Sequence, residues 1–255
     1  MNQGIIIIPT YNEAENIVPL LDCITTLPVK FDILIIDDNS PDHTGNLVKE
    51  YVGQHGLDGD SSPVRIYLEQ RKGKLGLGTA YLHGFRLAIG MHYEYIFEMD
   101  ADFSHNPEDL LSLFKACATD GFDMAIGSRY ITGVNVVNWP MGRVLMSYFA
   151  STYVKFITGM PITDATAGFK CYKRRVLETI DLDQIKFVGY AFQIEMKFVA
   201  WKYGFRIKEV PIIFTERKRG VSKMSANIIK EAALGVISMK INSLFRRYQS
   251  VSQNG

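Results

Sequence analysis

Short all-aliphatic runs alternate along the chain with stretches in which apolar residues recur every three or four positions. Residues 5–8, four isoleucines, and residues 33–36 read as strands covered on both faces, the pattern of a parallel sheet. Between them Ile17, Leu20, Leu21, Ile24 and Leu27 fall on one helical face, and Thr10 and Glu13 have the spacing of a capping box. Pro19 removes a hydrogen bond from that helix, at about 3 kcal/mol, which predicts a kink or a later start. A third strand at 64–68 leads into a helix with Leu82, Phe85, Ala88 and Ile89 inward. A fourth at 95–98 leads, through Asn106, Pro107, Glu108 and Asp109, into a helix carrying Leu110, Leu111, Phe114 and Ala118.

The second half is less regular. A fifth strand is predicted at 123–127, then an irregular stretch, 131–139, whose Val134, Val136, Val137 and Trp139 read as exposed. Exposed residues of that kind mark a partner, a membrane interface or a mobile lid. An amphipathic helix is predicted from Arg143 to about Thr158, with Leu145, Phe149, Tyr153 and Phe156 mostly in the core. A tight loop at 164–172 enters a strand, and Gly189 opens a helix in which Gln193 and Glu195 point to different faces, so at most one faces a ligand. The strand at 205–214 contains Pro211, which belongs at an edge or bulge. From Asn227 a helix broad in apolar surface and flanked by Lys230, Lys240, Arg246 and Arg247 is either interfacial or packed on the sheet.

Strands alternating with helices in this order predict an α/β fold with a mostly parallel sheet. Ligands of such sheets bind beyond the carboxyl ends of the strands, and that is where the acids of this chain collect. The second strand ends in Asp37 and Asp38, with Asn39, Ser40 and Asp42 following; the fourth ends in Asp100, Ala101 and Asp102. Capping explains Asp42 well and the two acids before it less well. Asp100 and Asp102 are either the caps of a solvated turn or the holders of a hard divalent ion that carries a phosphate. The loop of Arg71, Lys72, Gly73, Lys74, Leu75, Gly76, Leu77 and Gly78 is basic, rich in glycine and opens a helix. Its backbone N–H groups and Lys74 could hold a phosphate, although it lacks the ending of a P-loop; a flexible surface turn is the competing reading.

Composition narrows the partners. The 255 residues are 47% hydrophobic and 22% charged, which excludes disorder and allows a sizeable core. The net charge of +1 hides eight Lys/Arg against one acid, Glu231, between Arg217 and Arg247. An anionic partner is expected there: phosphate, nucleotide or lipid headgroup, and not nucleic acid. Cys23, Cys117 and Cys171 form no metal or redox spacing and fit a reducing compartment. With no signal peptide and no apolar stretch near the ~20 residues of a membrane span, a cytoplasmic chain bound peripherally to the cytoplasmic face of a membrane is expected.

The order of the motifs is more specific than any one of them. Pro9, Thr10, Tyr11, Asn12 and Glu13, then Asp37, Asp38, Asn39 and Ser40, then Asp100, Ala101 and Asp102 resemble the family 2 glycosyltransferases of GT-A fold. Gly127 to Tyr130, Thr163 and Asp164, Gly168 to Lys170, Gly189 to Met196, Glu209 to Ile212 and the basic run from Arg217 to Lys223 resemble the dolichol-phosphate mannosyltransferase group within it. The resemblance covers about residues 4 to 240. It implies a single Rossmann-like GT-A domain, residues 1–224, followed by a membrane-interfacial helix and tail, 225–255. It also implies inverting transfer of mannose from GDP-mannose to a polyprenyl (dolichyl-type) monophosphate.

Carried over residue by residue, the resemblance puts Pro9, Tyr11, Glu13 and Asp38 at the base and ribose, and Asp100 and Asp102 on Mg²⁺ or Mn²⁺ with Ala101 beside them. It puts Arg217 and Lys223 on the diphosphate and Arg129 and Arg143 on the lipid phosphate. Asp102, Arg129 and Arg143 are then the expected catalytic residues. Ser104 stands where some relatives have Gln, so a third side-chain metal ligand is not implied. An ionised phosphate acceptor needs no strong base, so neither Glu195 nor His105 is assigned that role. Left open are UDP-glucose or another donor, a glycan hydroxyl as acceptor, a small membrane subunit as partner, and a non-catalytic sugar-nucleotide or lipid-binding subunit. A nucleotidyltransferase would carry a basic glycine-rich signature where this chain has Tyr11, Asn12 and Glu13.

Overall fold

The computed structural model describes residues 2–59, 62–216, 226–246 and 248. Nine strands and eight α-helices are described in the order β1 Gly4–Thr10, α1 Ala14–Thr25, β2 Asp32–Asp37, α2 Thr44–His55, β3 Ile66–Gln70, α3 Leu77–Gly90, β4 Tyr95–Glu98 and α4 Asp109–Ala118. There follow β5 Met124–Ser128, β6 Val136–Val137, α5 Met141–Thr158, β7 Lys170–Lys173, α6 Arg174–Thr179, α7 Tyr190–Lys202, β8 Ile207–Pro211, β9 Phe214–Thr215 and α8 Ala226–Phe245. The main sheet has seven strands in the order β3-β2-β1-β4-β7-β5-β8, parallel except for β7, which runs against both its neighbours. The expected mostly parallel α/β architecture is present.

The aliphatic runs do what continuous burial demands. Ile5 and Ile7 of β1 and Leu34 and Ile36 of β2 enter one core with residues of α3, α6 and α7; Ile6, Ile8, Ile33 and Ile35 enter the other with residues of α1, α2 and α4. Period-2 alternation thus covers both faces, and each fully buried Ile contributes roughly 1.5–3 kcal/mol. Register brings the strand ends together: Thr10 lies opposite Asp37 and Ile7 opposite Glu98, so the loops after β1, β2 and β4 share one edge of the sheet. Pro211 closes β8, the last strand of the sheet, as its missing N–H requires.

Four expectations are corrected. Thr10 does not cap α1: it is buried at the end of β1 and its hydroxyl donates to Asp37 at 2.9 Å. The cap comes from across the sheet instead, Asp42 accepting the N–H of Ala14 at 2.9 Å and Thr44 that of Glu13 at 3.0 Å. Pro19 does not delay the helix, which starts at Ala14 and includes it on an exposed face. The stretch 131–139 is not wholly irregular, since Val136–Val137 pairs in parallel with Phe214–Thr215, and Trp139 packs on Phe214 with ring centres 5.1 Å apart. Leu145, Phe149 and Phe156 are not core: Phe149 is 62% and Phe156 85% exposed.

Candidate active site

A cleft of about 430 Å³ lies beyond the carboxyl ends of β1, β2 and β4. It brings together Pro9, Tyr11, Glu13, Asp38, Lys74, Asp100, Ala101, Asp102, Arg129 and Arg143, every candidate residue within the described chain. Arg217 and Lys223 lie outside the described residues.

The residues expected on the nucleotide side come from the loops after β1 and β2. Asp38 is buried and accepts Arg71 Nε at 2.6 Å, so its charge is matched inside the wall of the cleft. Asp37 proves structural, accepting from Thr10, from the Ser40 hydroxyl at 2.6 Å and from the Ser40 N–H at 3.1 Å. Lys74 is exposed and stands 4.6 Å from the centre of the Tyr11 ring. The glycines around it also have a packing task. The N–H of Gly78 donates to Val188 O at 2.9 Å, and a Cβ on Gly78 would lie 2.9 Å from Phe187 O. They let the loop before α7 press against the start of α3.

Asp100 and Asp102 occupy a sharply bent segment. Phe103 sits at φ 59°, a left-handed conformation costly for an aromatic residue. Asp102, 7% exposed, holds this turn by accepting the Ser104 N–H at 3.0 Å. Tyr81 donates to Asp100 at 3.3 Å; burial first, then the Asp100 carboxylate, keeps this phenol protonated far above its ordinary range. Among the described residues no three acidic, His or Cys side chains group as a metal cage. Two carboxylates, one steered by a neutral donor, fit a hard divalent ion, which Asp100 and Asp102 would hold.

The rest of the lining is cationic and aromatic. Arg129, buried, donates from Nε and Nη2 to the two oxygens of Asp164 at 2.7 and 2.6 Å, and from Nη2 to Thr166 at 2.7 Å. Burial raises the Asp164 carboxyl, but Arg129 outweighs it and holds the group below its usual value. Arg143 stacks 4.2 Å from the centre of the Trp139 ring, whose other neighbours include Arg129 at 5.6 Å, and donates to Glu216 at 2.7 Å. His105 stacks on Phe169 at 4.7 Å, and burial above all lowers its pKa to about 4.

Sequence reasoning did not anticipate Asp164 or Thr166 as the anchors of Arg129, nor the buried cluster of Glu98, Lys170 and Tyr172 behind the cleft. A Glu closing an apolar strand was the available signal; the Lys opposite it is brought there by the pairing of β4 with β7. Gln193 lines the cleft; Glu195 instead accepts the N–H groups of Lys186 and Phe187 at 2.9 and 3.0 Å.

Residues 5–181 match the model of glycosyl transferase family 2. The chain is 43% identical to polyprenol monophosphomannose synthase of Mycolicibacterium smegmatis over 97% of this chain and 90% of that protein. It is 42% identical to undecaprenyl-phosphate mannosyltransferase of Micrococcus luteus over 90% of each. Among solved structures, glucosyl-3-phosphoglycerate synthase of Mycobacterium tuberculosis, in complex with Mn²⁺, UDP and glucosyl-3-phosphoglycerate, superposes with a TM-score of 0.66 at 14% identity, covering 96% of this chain and 81% of that one. The mannosyltransferase PcManGT of Pyrobaculum calidifontis, in complex with GDP-Man and Mn²⁺, gives 0.59 at 17% identity, covering 98% and 66%. At such identities the likeness is one of fold.

Proposed function

The chain belongs to glycosyl transferase family 2 and has the GT-A fold, and we propose that it transfers mannose from GDP-mannose to the phosphate of a polyprenyl monophosphate, giving a β-linked product. The observation that carries this reading is one cleft lined both by paired carboxylates and by two arginines about one tryptophan. That is a place for a sugar nucleotide next to a place for a second anion. The names of the two relatives reported above, 43% and 42% identical, supply the lipid and the sugar.

In this reading Pro9, Tyr11, Glu13 and Asp38 receive the base and ribose. Lys74 serves the diphosphate, together with Arg217 and Lys223, and Ala101 lines the same wall. Asp100 and Asp102 hold Mg²⁺ or Mn²⁺, which when bound supplies positive charge against the departing diphosphate. The acceptor is a phosphate oxygen, already ionised at neutral pH. It forms a bond to the anomeric carbon as the bond from that carbon to the diphosphate oxygen breaks, and the nucleoside diphosphate leaves with the electron pair. In-line displacement inverts the anomeric centre. Arg129 and Arg143 offset the repulsion between the two anions, electrostatic work that a preorganised site does well. Asp164 fixes Arg129 before the acceptor arrives, and Glu216 yields Arg143 to it. His105, neutral and buried, is not needed as a base.

The membrane side of the reading rests on two helices rather than on α8 alone. Met141, Leu145, Phe149 and Phe156 form an exposed stripe along α5, which begins beside Arg143; Leu234, Ile237, Ile241 and Leu244 form another along α8. The helices are joined by Tyr153 Oη donating to Ala233 O at 3.0 Å and Lys240 Nζ donating to Thr158 O at 2.9 Å. Among the described residues no helix is long and apolar enough to cross a membrane. A peripheral seat on the cytoplasmic leaflet, with the acceptor phosphate entering at the Arg143 end, fits this surface. A small membrane subunit covering it is the competing occupant.

Parallel incubations with GDP-mannose and with UDP-glucose, Mn²⁺ and a short polyprenyl phosphate test the reading by the mass of the lipid product. Mannosylated lipid from the first donor alone is expected. Glucosylated lipid, or none with nucleotide binding intact, would overturn the choice of donor or acceptor.

A further inference from the structure

Gln193 stands in the first turns of α7, 4% exposed, on the wall of the cleft. Its Oε1 accepts a hydrogen bond from Lys170 Nζ. Lys170 is fully buried and directs its other donors to Glu98, with both carboxylate oxygens at 3.0 Å, and to Tyr172 Oη at 3.1 Å. Tyr172 in turn donates to Glu98 at 2.6 Å. An ammonium has donors and no acceptor, so only the amide oxygen of Gln193 can face it. The amide nitrogen is thereby turned the other way, and Nε2 is buried without a hydrogen-bond partner among the described residues.

What lies on that side is a gap kept open by a glycine. A Cβ on Gly168 would stand 3.4 Å from Gln193 Nε2 and 4.0 Å from Asp100 Oδ2. The gap is therefore bordered by an N–H donor on one side and a carboxylate acceptor on the other. A buried amide donor left unpaired is costly, and few are kept without a reason. A phosphate oxygen only accepts and, with no cation between them, would meet the Asp100 carboxylate unfavourably. A hydroxyl both donates and accepts, and so matches both borders.

We propose that Gln193 reads the transferred sugar, Nε2 donating to one hydroxyl oxygen of the donor hexose in the gap over Gly168. Lys170, with Glu98 and Tyr172 behind it, is the positioning residue that fixes the amide orientation. This rests on the sugar-nucleotide reading of the cleft. A site built to hydrogen-bond one hydroxyl discriminates against a donor that lacks it more sharply than an apolar pocket would.

The test is titration calorimetry of the full chain with Mn²⁺, using GDP, GDP-mannose and the singly deoxygenated GDP-mannoses. In the wild type one deoxy donor should bind about tenfold more weakly than GDP-mannose. Gln193→Leu should weaken GDP-mannose by a similar factor, leave GDP unchanged, and add no further loss for that same deoxy donor, the closure of a double-mutant cycle. Gly168→Ala leaves the Lys170 cluster intact, places its methyl at ordinary contact distance from Nε2, and should reproduce the selective loss should Gln193→Leu fail to fold. Equal weakening of GDP and GDP-mannose would overturn the proposal by assigning Gln193 to the diphosphate. Unchanged GDP-mannose affinity in both variants would also overturn it. A wild-type chain that binds neither nucleotide would overturn the sugar-nucleotide reading itself.

Discussion

Arg129 grips Asp164 through two parallel hydrogen bonds of 2.7 and 2.6 Å, with Asp164 wholly buried. A guanidinium fork suits a carboxylate in this way, and the geometry aligns Arg129 more firmly than a single contact could. Asp164→Asn leaves the cation buried without its counter-charge. It is expected to cost about 3–5 kcal/mol of stability, read as a lowered denaturation midpoint. Its effect on transfer should appear mainly in KM for the lipid phosphate. A variant with unchanged stability and KM would remove Asp164 from the account.

Asp102→Asn separates charge from shape. Asparagine keeps the oxygen that accepts from Ser104 N, so the strained turn at Phe103 and the thermal midpoint should be preserved. Metal-dependent nucleotide binding should fall at least about hundredfold, the upper end of what losing a residue behind a metal ligand costs. Binding that is unchanged, with and without a chelator, would contradict the metal assignment.

His105 gives the fold a pH dependence whose sign is set. Its folded pKa is lowered from 6.5 to about 4, chiefly by burial. Between these values the unfolded chain takes up a proton that the folded chain does not, so stability falls as pH drops through that window. Urea midpoints of the metal-free chain should decline from pH 6.5 to 4. In His105→Phe, which can keep the stacking on Phe169, the decline should be shallower. Equal slopes would mean that His105 does not titrate as described.

The two exposed stripes predict where vesicles bind. Leu145→Glu with Phe149→Glu should reduce sedimentation with anionic vesicles about tenfold or more, since each buried apolar side chain contributes on the order of 1.5–3 kcal/mol. Removal of the residues after Asn227 should leave part of the binding, carried by α5. Complete retention in the double Glu variant would exclude α5 as a membrane surface.

The parts of this molecule that sequence makes plain are those where one local rule dominates. Four isoleucines in a row can only be covered on both faces, and two strands ending in acids, at Asp37 and at Asp100, place the cleft. What stayed hidden depends on contacts between distant residues. Thr10 and Glu13 have the spacing of a capping box, yet Asp42 and Thr44 serve that helix start because β2 lies beside β1. Glycines 76 and 78 look like a phosphate cradle, and spacing does not reveal that they also admit the loop at 187–188. Phe149 has the spacing of a core residue, but α5 turns that apolar face outward, and periodicity does not say which way an apolar face points. Asp164 and Lys170 acquire meaning only from partners 35 and 72 residues away.

The most direct measurement is the structure of the lipid product by NMR, made from GDP-mannose and a short polyprenyl phosphate with Mn²⁺. Mannose joined through its anomeric carbon to the lipid phosphate in the β configuration is expected. An α-linked product, or mannose found on a hydroxyl acceptor, would contradict the proposed function.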